Sequence, residues 1–127
     1  MPKSGSGSRG RVPRVAEAAR LPNRGEVYLV ELDQTRGSEI RKTRPCLVVS
    51  PDELNHHLRT IIVAPMTRGG HAYPFRPACR FAGKEGRVAL DQIRTVDRDR
   101  LRKRLGVLPT AALQEVFSGL AEMFEFS

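Results

Sequence analysis

The sequence predicts a mainly β domain of the α+β class: a small, strongly bent antiparallel sheet or barrel with one C-terminal helix. Three observations lead to this prediction. Short apolar runs rich in valine and isoleucine alternate with polar turns that contain glycine or proline. The connections between the runs are short, and one segment near the C-terminus has helical apolar periodicity. The 127 residues are enough for one domain with its own core.

Five segments are predicted to be strands: 27–32, 45–50, 60–64, 74–81 and 87–96. The second and third are continuously apolar at their centres, which is typical of strands covered on both faces. The prolines of the fourth confine it to an edge, because proline cannot donate to a neighbouring strand. In the fifth, the alternation slips at Asp91 and Gln92, which indicates a bulge.

The C-terminal helix is predicted to run from Ala111 to about Phe124, with Thr110 as its N-cap. Its apolar residues recur at helical spacing and form one stripe: Leu113, Val116, Phe117, Leu120 and Phe124. Gly119 interrupts the helix and suggests close packing there. The segment 52–58 is predicted to contain one helical turn, and the charged segment 97–104 is either a basic patch or a solvated turn.

The net charge of +8 is unevenly distributed along the chain. Residues 1–24 contain six positive and one negative residue, whereas the rest contains sixteen positive and thirteen negative. We expect residues 1–23 to form a disordered basic tail, because glycine and serine alternate near its start, and 24–127 to form the folded domain. The basic surface suits a polyanionic partner, although a solvated surface explains it equally well.

No side-chain pattern predicts a metal or a cofactor. His56 and His57 are adjacent and would diverge on a helix or a strand, and His71 stands apart. Cys46 and Cys79 lack CxxC spacing and are expected to be packed, reduced thiols. No apolar run is long enough for a membrane span, and the N-terminus lacks the apolar region of a signal peptide. A cytoplasmic protein is therefore expected.

The candidate site residues lie at predicted strand ends or at the break in alternation: Glu39, Arg44, Thr67, Asp91 and Gln92. The proline after Arg44 stiffens the backbone there, which suits a phosphate-binding residue, but a salt bridge at a strand start has the same pattern. GxSxG, Walker and kinase motifs are absent. Metal-free cleavage of RNA needs a base, a cation and a donor for the leaving oxygen, which an arginine with hydroxyl and carboxylate neighbours supplies. Composition and spacing alone do not identify this reaction.

Six short segments and the C-terminal helix together match the pattern of one protein family. The segments are 24–30 (RGEVYLV), 37–39 (GSE), 43–45 (TRP), 63–67 (VAPMT), 73–75 (YPF) and 88–97 (VALDQIRTVD), and the helix follows Pro109. In their order and gaps they resemble the MazF/PemK/Kid family of toxin ribonucleases from toxin–antitoxin modules. Each segment alone is weak evidence for this family, but the set of segments is specific for it. The set covers the chain from about Arg24 to its end.

The resemblance implies a twisted SH3-like barrel with a C-terminal helix that forms a homodimer. It also implies metal-independent cleavage of single-stranded RNA at short sequences, giving a 2′,3′-cyclic phosphate and a 5′-OH. Arg44 is expected to stabilise the phosphorane and Thr67 to bind the scissile phosphate, while Glu39 or Asp91 acts as the base. RNA contacts are expected from Lys42, Thr43, Arg68, Gln92 and Arg94.

Two departures from the family pattern affect the choice of base. Some relatives have histidine where this chain has Ser38 and arginine where it has Ala89, so the roles of those groups do not transfer. This favours Glu39, with Asp91 as the base or an RNA contact. Two alternatives remain: a CcdB-like gyrase inhibitor on the same fold, and a relative that binds RNA without cleaving it. An antitoxin with an acidic C-terminal segment is the expected protein partner.

Overall fold

A computed structural model describes residues 21–32, 42–69 and 73–126, which form seven strands and two α-helices. The strands are β1 (Glu26–Glu31), β2 (Thr43–Val48), β3 (Thr60–Arg68), β4 (Ala78–Phe81), β5 (Lys84–Val88), β6 (Arg94–Asp97) and β7 (Leu101–Val107). The helices are α1 (Asp52–His57) and α2 (Thr110–Met123), and two single 3-10 turns, Leu90–Gln92 and Arg98–Arg100, flank β6. Most of the predicted tail, residues 1–20, lies outside the described residues, as does Glu39.

The strands form one antiparallel sheet with the order β4-β5-β3-β2-β1-β7, and β6 also pairs with β3. Strand β3 changes partner along its length: Thr60–Val63 pairs with β6, and Met66–Arg68 pairs with β5. Register shifts between β1 and β7 add to the bend. The sheet curls until Phe81 of β4 lies 3.1 Å from the position a Cβ would take at Gly106 of β7. The predicted fold class, a strongly twisted antiparallel barrel with a C-terminal helix, is confirmed.

Both faces of the central strands are buried, as their continuous apolar runs predict. One cluster lies under α2 and includes Val27, Leu47, Ala64, Val88, Leu90 and Val116. The other lies on the opposite face and includes Tyr28, Val30, Cys46, Val48, Ile61, Val63 and Leu101. Neighbouring residues of β1 and β2 alternate between the two clusters because side chains in a strand alternate in direction. Among the described residues, no helix is long and apolar enough to cross a membrane.

Helix α2 packs through the predicted apolar stripe, but its ends differ from the prediction. Val116 is buried, and its neighbours in the stripe pack against the first cluster. A Cβ on Gly119 would lie 2.8 Å from Leu90 Cδ1, so the helix approaches the 3-10 turn closely there, as predicted. Phe124 lies after the helix end and is exposed. The predicted N-cap was wrong: Thr110 is the first helical residue, and Pro109 precedes it without a side-chain cap.

The predicted strand 87–96 was wrong. Strand β5 ends at Val88, a 3-10 turn occupies Leu90–Gln92, and β6 starts at Arg94. The chain turns because β5 and β6 pair with opposite ends of the bent β3. The slip in alternation at Asp91 therefore marks a change of strand rather than a bulge.

Strand β7 was missed, because its arginines made the segment resemble a solvated turn. Arg102 pairs with Glu31, and Arg104 Nε donates to Glu26 Oε2 at 2.8 Å. Both carboxylates are on β1 and are almost fully buried, at 4% and 5% exposure. Each thus needs a cation beside it, since an unpaired buried charge is strongly unfavourable. The arginines of β7 therefore stabilise its pairing with β1 by neutralising these carboxylates.

Candidate active site

A cavity of about 560 Å³ brings Arg44 and Thr67 together between the curled edges of the sheet. Apolar side chains form part of its lining: Pro45, Met66, Cys79, Phe81, Ala82 and Leu105. Among the described residues, the lining is completed by polar side chains and one glycine: Thr43, Arg44, Thr67, Arg68, Lys84, Glu85 and Gly86. Eight of the nine residues predicted to act in catalysis or RNA binding lie in the described part of the chain, and four of these line the cavity: Thr43, Arg44, Thr67 and Arg68.

The register of β2 and β3 explains why Arg44 and Thr67 meet. Cys46 pairs with Pro65, and continuing this antiparallel register by two residues aligns Arg44 with Thr67. The ladder between β2 and β3 ends at the pair Cys46–Pro65, whereas β5 pairs with the other edge of β3, where Thr67 lies opposite Arg87. The two strands are no longer paired at Arg44 and Thr67, and both residues line the cavity.

Arg44 is exposed, and its backbone pairs with Val30 of β1. Within the described residues its guanidinium takes part in no ion pair. The salt bridge that the sequence left open as an alternative is therefore not formed in this part of the chain. An arginine held at the end of a stiff strand, with its charge facing a cavity, is suited to binding a phosphate.

The Thr67 hydroxyl makes one long hydrogen bond, donating to the Arg87 carbonyl oxygen at 3.5 Å. A contact of this length is weak, so the hydroxyl can turn toward a ligand in the cavity at little cost. Lys84 adds a third cation to the lining, besides Arg44 and Arg68, and Glu85 adds a carboxylate that pairs with Arg80. Neither residue is distinctive in the sequence, because the segment 83–86 has the composition of an ordinary turn, whereas the structure places both on β5.

Cys46 lies in the core below Arg44. Burial raises the pKa of its thiol to about 12, against the smaller lowering effect of Arg44 and Arg94. The thiol stays protonated at neutral pH, so it is not a nucleophile. Arg94 is exposed on β6 and does not line the cavity. Cys46 and Cys79 are both buried and free, as predicted.

Asp91 and Gln92 lie on the 3-10 turn after β5, and neither lines the cavity of Arg44. Asp91 accepts two hydrogen bonds from Arg76, at 2.8 Å from Nε and 2.9 Å from Nη2. These bonds lower the pKa of the Asp91 carboxyl. Arg76 was not among the predicted site residues, and its spacing from Asp91 gives no sequence signal. Glu39 and Ser38 lie outside the described residues.

The family model described as the PemK-like, MazF-like toxin of type II toxin–antitoxin systems matches residues 23–124. The chain belongs to this family. It is 38% identical over 107 residues to endoribonuclease PemK of Escherichia coli, covering 77% of this chain and 78% of that protein. It is 32% identical over 103 residues to endoribonuclease MazF of Staphylococcus epidermidis, covering 76% and 86%. The predicted family and enzyme class are thus confirmed.

Solved structures agree with this assignment. A MazE–MazF crystal structure from Deinococcus radiodurans superposes with a TM-score of 0.73 at 28% identity, covering 86% of this chain and 100% of that one. An endoribonuclease in complex with its cognate antitoxin from a mycobacterial species superposes with a TM-score of 0.69 at 26% identity, covering 84% and 99%.

Proposed function

We propose that this toxin cleaves single-stranded RNA at specific sequences without a metal, by attack of a ribose 2′-OH on the adjacent phosphate. The products are a 2′,3′-cyclic phosphate and a 5′-OH. The proposal rests chiefly on one observation: the exposed guanidinium of Arg44 and the hydroxyl of Thr67 line one cavity where β2 and β3 are no longer paired. Family membership supports the reaction class.

Arg44 has the charge and donors that the transition state requires. The phosphorane has one more negative charge than the substrate phosphate, and a preformed cation beside it stabilises that extra charge. A guanidinium can donate to two oxygens at once, so Arg44 also donates a hydrogen bond to the departing 5′-oxygen, which takes its proton from solvent as the bond to phosphorus breaks. Thr67 donates to a non-bridging oxygen and fixes the phosphate. Thr43 and Arg68, which line the same cavity, contact the flanking backbone.

We propose Glu39 rather than Asp91 as the base that accepts the 2′-OH proton. Asp91 is engaged by Arg76, and its lowered pKa makes it a weaker proton acceptor. Glu39 is five residues before Arg44 in the sequence, on the segment that leads into β2. Lys42, Gln92 and Arg94 are proposed RNA contacts outside the cavity, where their exposed polar groups can reach the backbone or a base.

We further propose a homodimer and an antitoxin whose acidic C-terminal segment covers the site. An acidic segment laid over Arg44, Arg68 and Lys84 would compete with RNA for the same cations. Exposed apolar residues at the end of β7 and after α2, such as Val107 and Phe124, offer surface for contact between chains. An RNA substrate would place the protein in the cytoplasm.

The test is an RNA digest in EDTA with the new ends mapped. Cyclic-phosphate and 5′-OH ends at one short sequence are expected, and Arg44→Ala abolishes them while remaining folded. Arg59→Ala is the matched control: Arg59 is exposed, pairs with Asp97 and Asp99, and does not line the cavity. Intact RNA with inhibited DNA gyrase would instead identify a CcdB-like toxin, and RNA binding without new ends would identify a binding protein. Either result contradicts the proposal.

A further inference from the structure

A second cavity, of about 340 Å³, lies between the segment 73–77 and helix α2. The helix contributes Glu115, Gly119 and Glu122, which recur at helical spacing on one face. Among the residues that the structure describes, this cavity shares none of its lining with the cavity of Arg44 and Thr67. It contains Tyr73, whose side chain is large and apolar yet 54% exposed.

The Tyr73 ring lies against Arg76, which forms an ion pair with Asp91. The Arg76 guanidinium carbon lies 5.2 Å from the centre of the Tyr73 ring, within cation–π range. The same guanidinium is fixed in its plane by the two hydrogen bonds to Asp91. A bidentate pair restricts the orientation of the arginine, and the arginine in turn restricts the ring. The ring is therefore positioned in advance although much of its surface faces solvent.

The segment that bears Tyr73 is also tied to the sheet. Leu90 N donates to Phe75 O at 3.1 Å, Val88 N donates to Pro77 O at 3.0 Å, and Arg87 Nη1 donates to Arg76 O at 2.9 Å. Phe75 has a φ of 61°, a left-handed conformation that residues other than glycine rarely adopt. Strained backbone of this kind is often retained at functional positions. Since Arg87 pairs with Thr67 across β3 and β5, the segment is linked directly to the strand of the active site.

The chemistry of this cavity fits an unpaired nucleobase. Aromatic side chains on a rigid support stack bases of single-stranded RNA. Carboxylates accept hydrogen bonds from exocyclic amino groups, as Glu and Asp do from cytosine N4. Within the described residues, Glu115 and Glu122 form no ion pair, so their oxygens are available to a ligand. Uracil fits less well, because its one imino donor lies between two carbonyl oxygens that a carboxylate repels.

We propose that this cavity binds one base of the RNA near the cleaved bond, that Tyr73 stacks on it, and that Glu115 and Glu122 favour a base with an amino group. Asp91 then acts as a positioning residue, because it holds Arg76 and through it the ring. The inference rests on the proposed ribonuclease function, since it assigns a subsite of the same substrate. Asp91 thereby has a role other than proton transfer.

Binding is tested with an RNA that cannot be cleaved: a random-sequence pool with 2′-fluorine in place of each 2′-OH and one central 2-aminopurine. The parent protein and Tyr73→Phe are expected to quench the 2-aminopurine fluorescence, and Tyr73→Leu to lose the quenching and about tenfold in affinity. Equal quenching and affinity in Tyr73→Leu would overturn the proposal. Failure of the parent to cleave natural RNA would refute the ribonuclease instead, because this binding assay needs no cleavage.

Asp91→Asn separates positioning from proton transfer. We expect a severalfold higher KM, an unchanged kcat and an unchanged pH profile of kcat, because amide and carboxylate oxygens both accept from Arg76. A loss of kcat of about a hundredfold or more with an altered pH profile would identify Asp91 as the base and overturn this role. The double variant Glu115→Gln/Glu122→Gln is expected to raise cleavage of sites with uracil at one flanking position. An unchanged sequence profile would refute the selectivity for an amino group.

Discussion

Gly86 controls the position of Thr67, and replacing it with alanine tests how the strands build the active site. A Cβ on Gly86 would lie 2.2 Å from the Thr67 carbonyl oxygen, whereas carbon–oxygen contacts between strands normally lie at about 3.3 Å or more. The obstacle is backbone, so β5 and β3 must separate by about 1 Å to admit the methyl group. Overpacking of this kind costs about 1–3 kcal/mol of unfolding free energy.

The same displacement moves the Thr67 hydroxyl relative to Arg44. A misplacement of about 1 Å can reduce a rate by about a hundredfold. We therefore expect Gly86→Ala to lower the unfolding free energy by about 1–3 kcal/mol and single-turnover RNA cleavage by about a hundredfold. Urea unfolding measures the first effect and a quenched time course the second.

Gly83→Ala is the matched control for this prediction. Gly83 lies in the β4–β5 turn with a φ of +77°, and no atom of the described part of the chain lies within 4 Å of the position that a Cβ would take there. We expect a loss of about 1 kcal/mol from backbone strain and little change in the cleavage rate of the folded protein. Parental stability and parental activity in Gly86→Ala would refute the claim that the β5–β3 pairing positions Thr67.

Three further predictions concern the framework of the fold. Arg102→Met leaves Glu31 buried without this partner, and urea unfolding should show a loss of about 1–3 kcal/mol; an unchanged midpoint would contradict the pairing of β7 with β1. Gly119→Ala places a methyl group 2.8 Å from Cδ1 at the end of the buried Leu90 side chain, which must shift. The gain in helix propensity offsets the cost of this repacking, so the melting temperature should change little, and a large fall would contradict this. The hydrogen bonds from Arg76 lower the pKa of Asp91 in the folded protein. The pair therefore contributes to stability above the pKa of Asp91 in the unfolded chain, about 3.9. This contribution is lost as the pH falls from that value through the lower pKa of the folded protein. Asp91→Asn should weaken that acid dependence in urea titrations.

The runs of valine and isoleucine correctly predict β1, β2 and β3, because both faces of these strands are buried, whereas the predicted strand 87–96 is divided between β5 and β6. The C-terminal helix is likewise predictable from its apolar stripe. Strand β7 could not be predicted in this way, because its charged residues pair with residues that are distant in the sequence. Arg102 pairs with Glu31, 71 positions away, and Arg104 pairs with Glu26, 78 positions away. Within their own segment, these arginines are typical of a solvent-exposed turn. Their role is evident only from β1, whose buried carboxylates they neutralise.

The candidate site also has a part that the sequence predicts and a part that it does not predict. Arg44 and Thr67 were both predicted, and the register of two neighbouring strands brings them together. The separate position of Asp91 was not predictable, because it depends on β3 changing partners and on an arginine fifteen residues away. Lys84 and Glu85 were missed since their hairpin has no distinctive composition. The role of Glu39 remains a prediction.

The single-turnover cleavage rate of Arg44→Ala, at saturating RNA and in EDTA, tests the central claim most directly. The claim is that Arg44 stabilises the phosphorane beside Thr67, and removing such a group is expected to cost about a hundredfold to a thousandfold in rate. RNA affinity should fall far less, and the unfolding midpoint should remain that of the parent. A folded Arg44→Ala protein that cleaves RNA within about threefold of the parental rate would contradict the account, because such a change is under 1 kcal/mol of barrier.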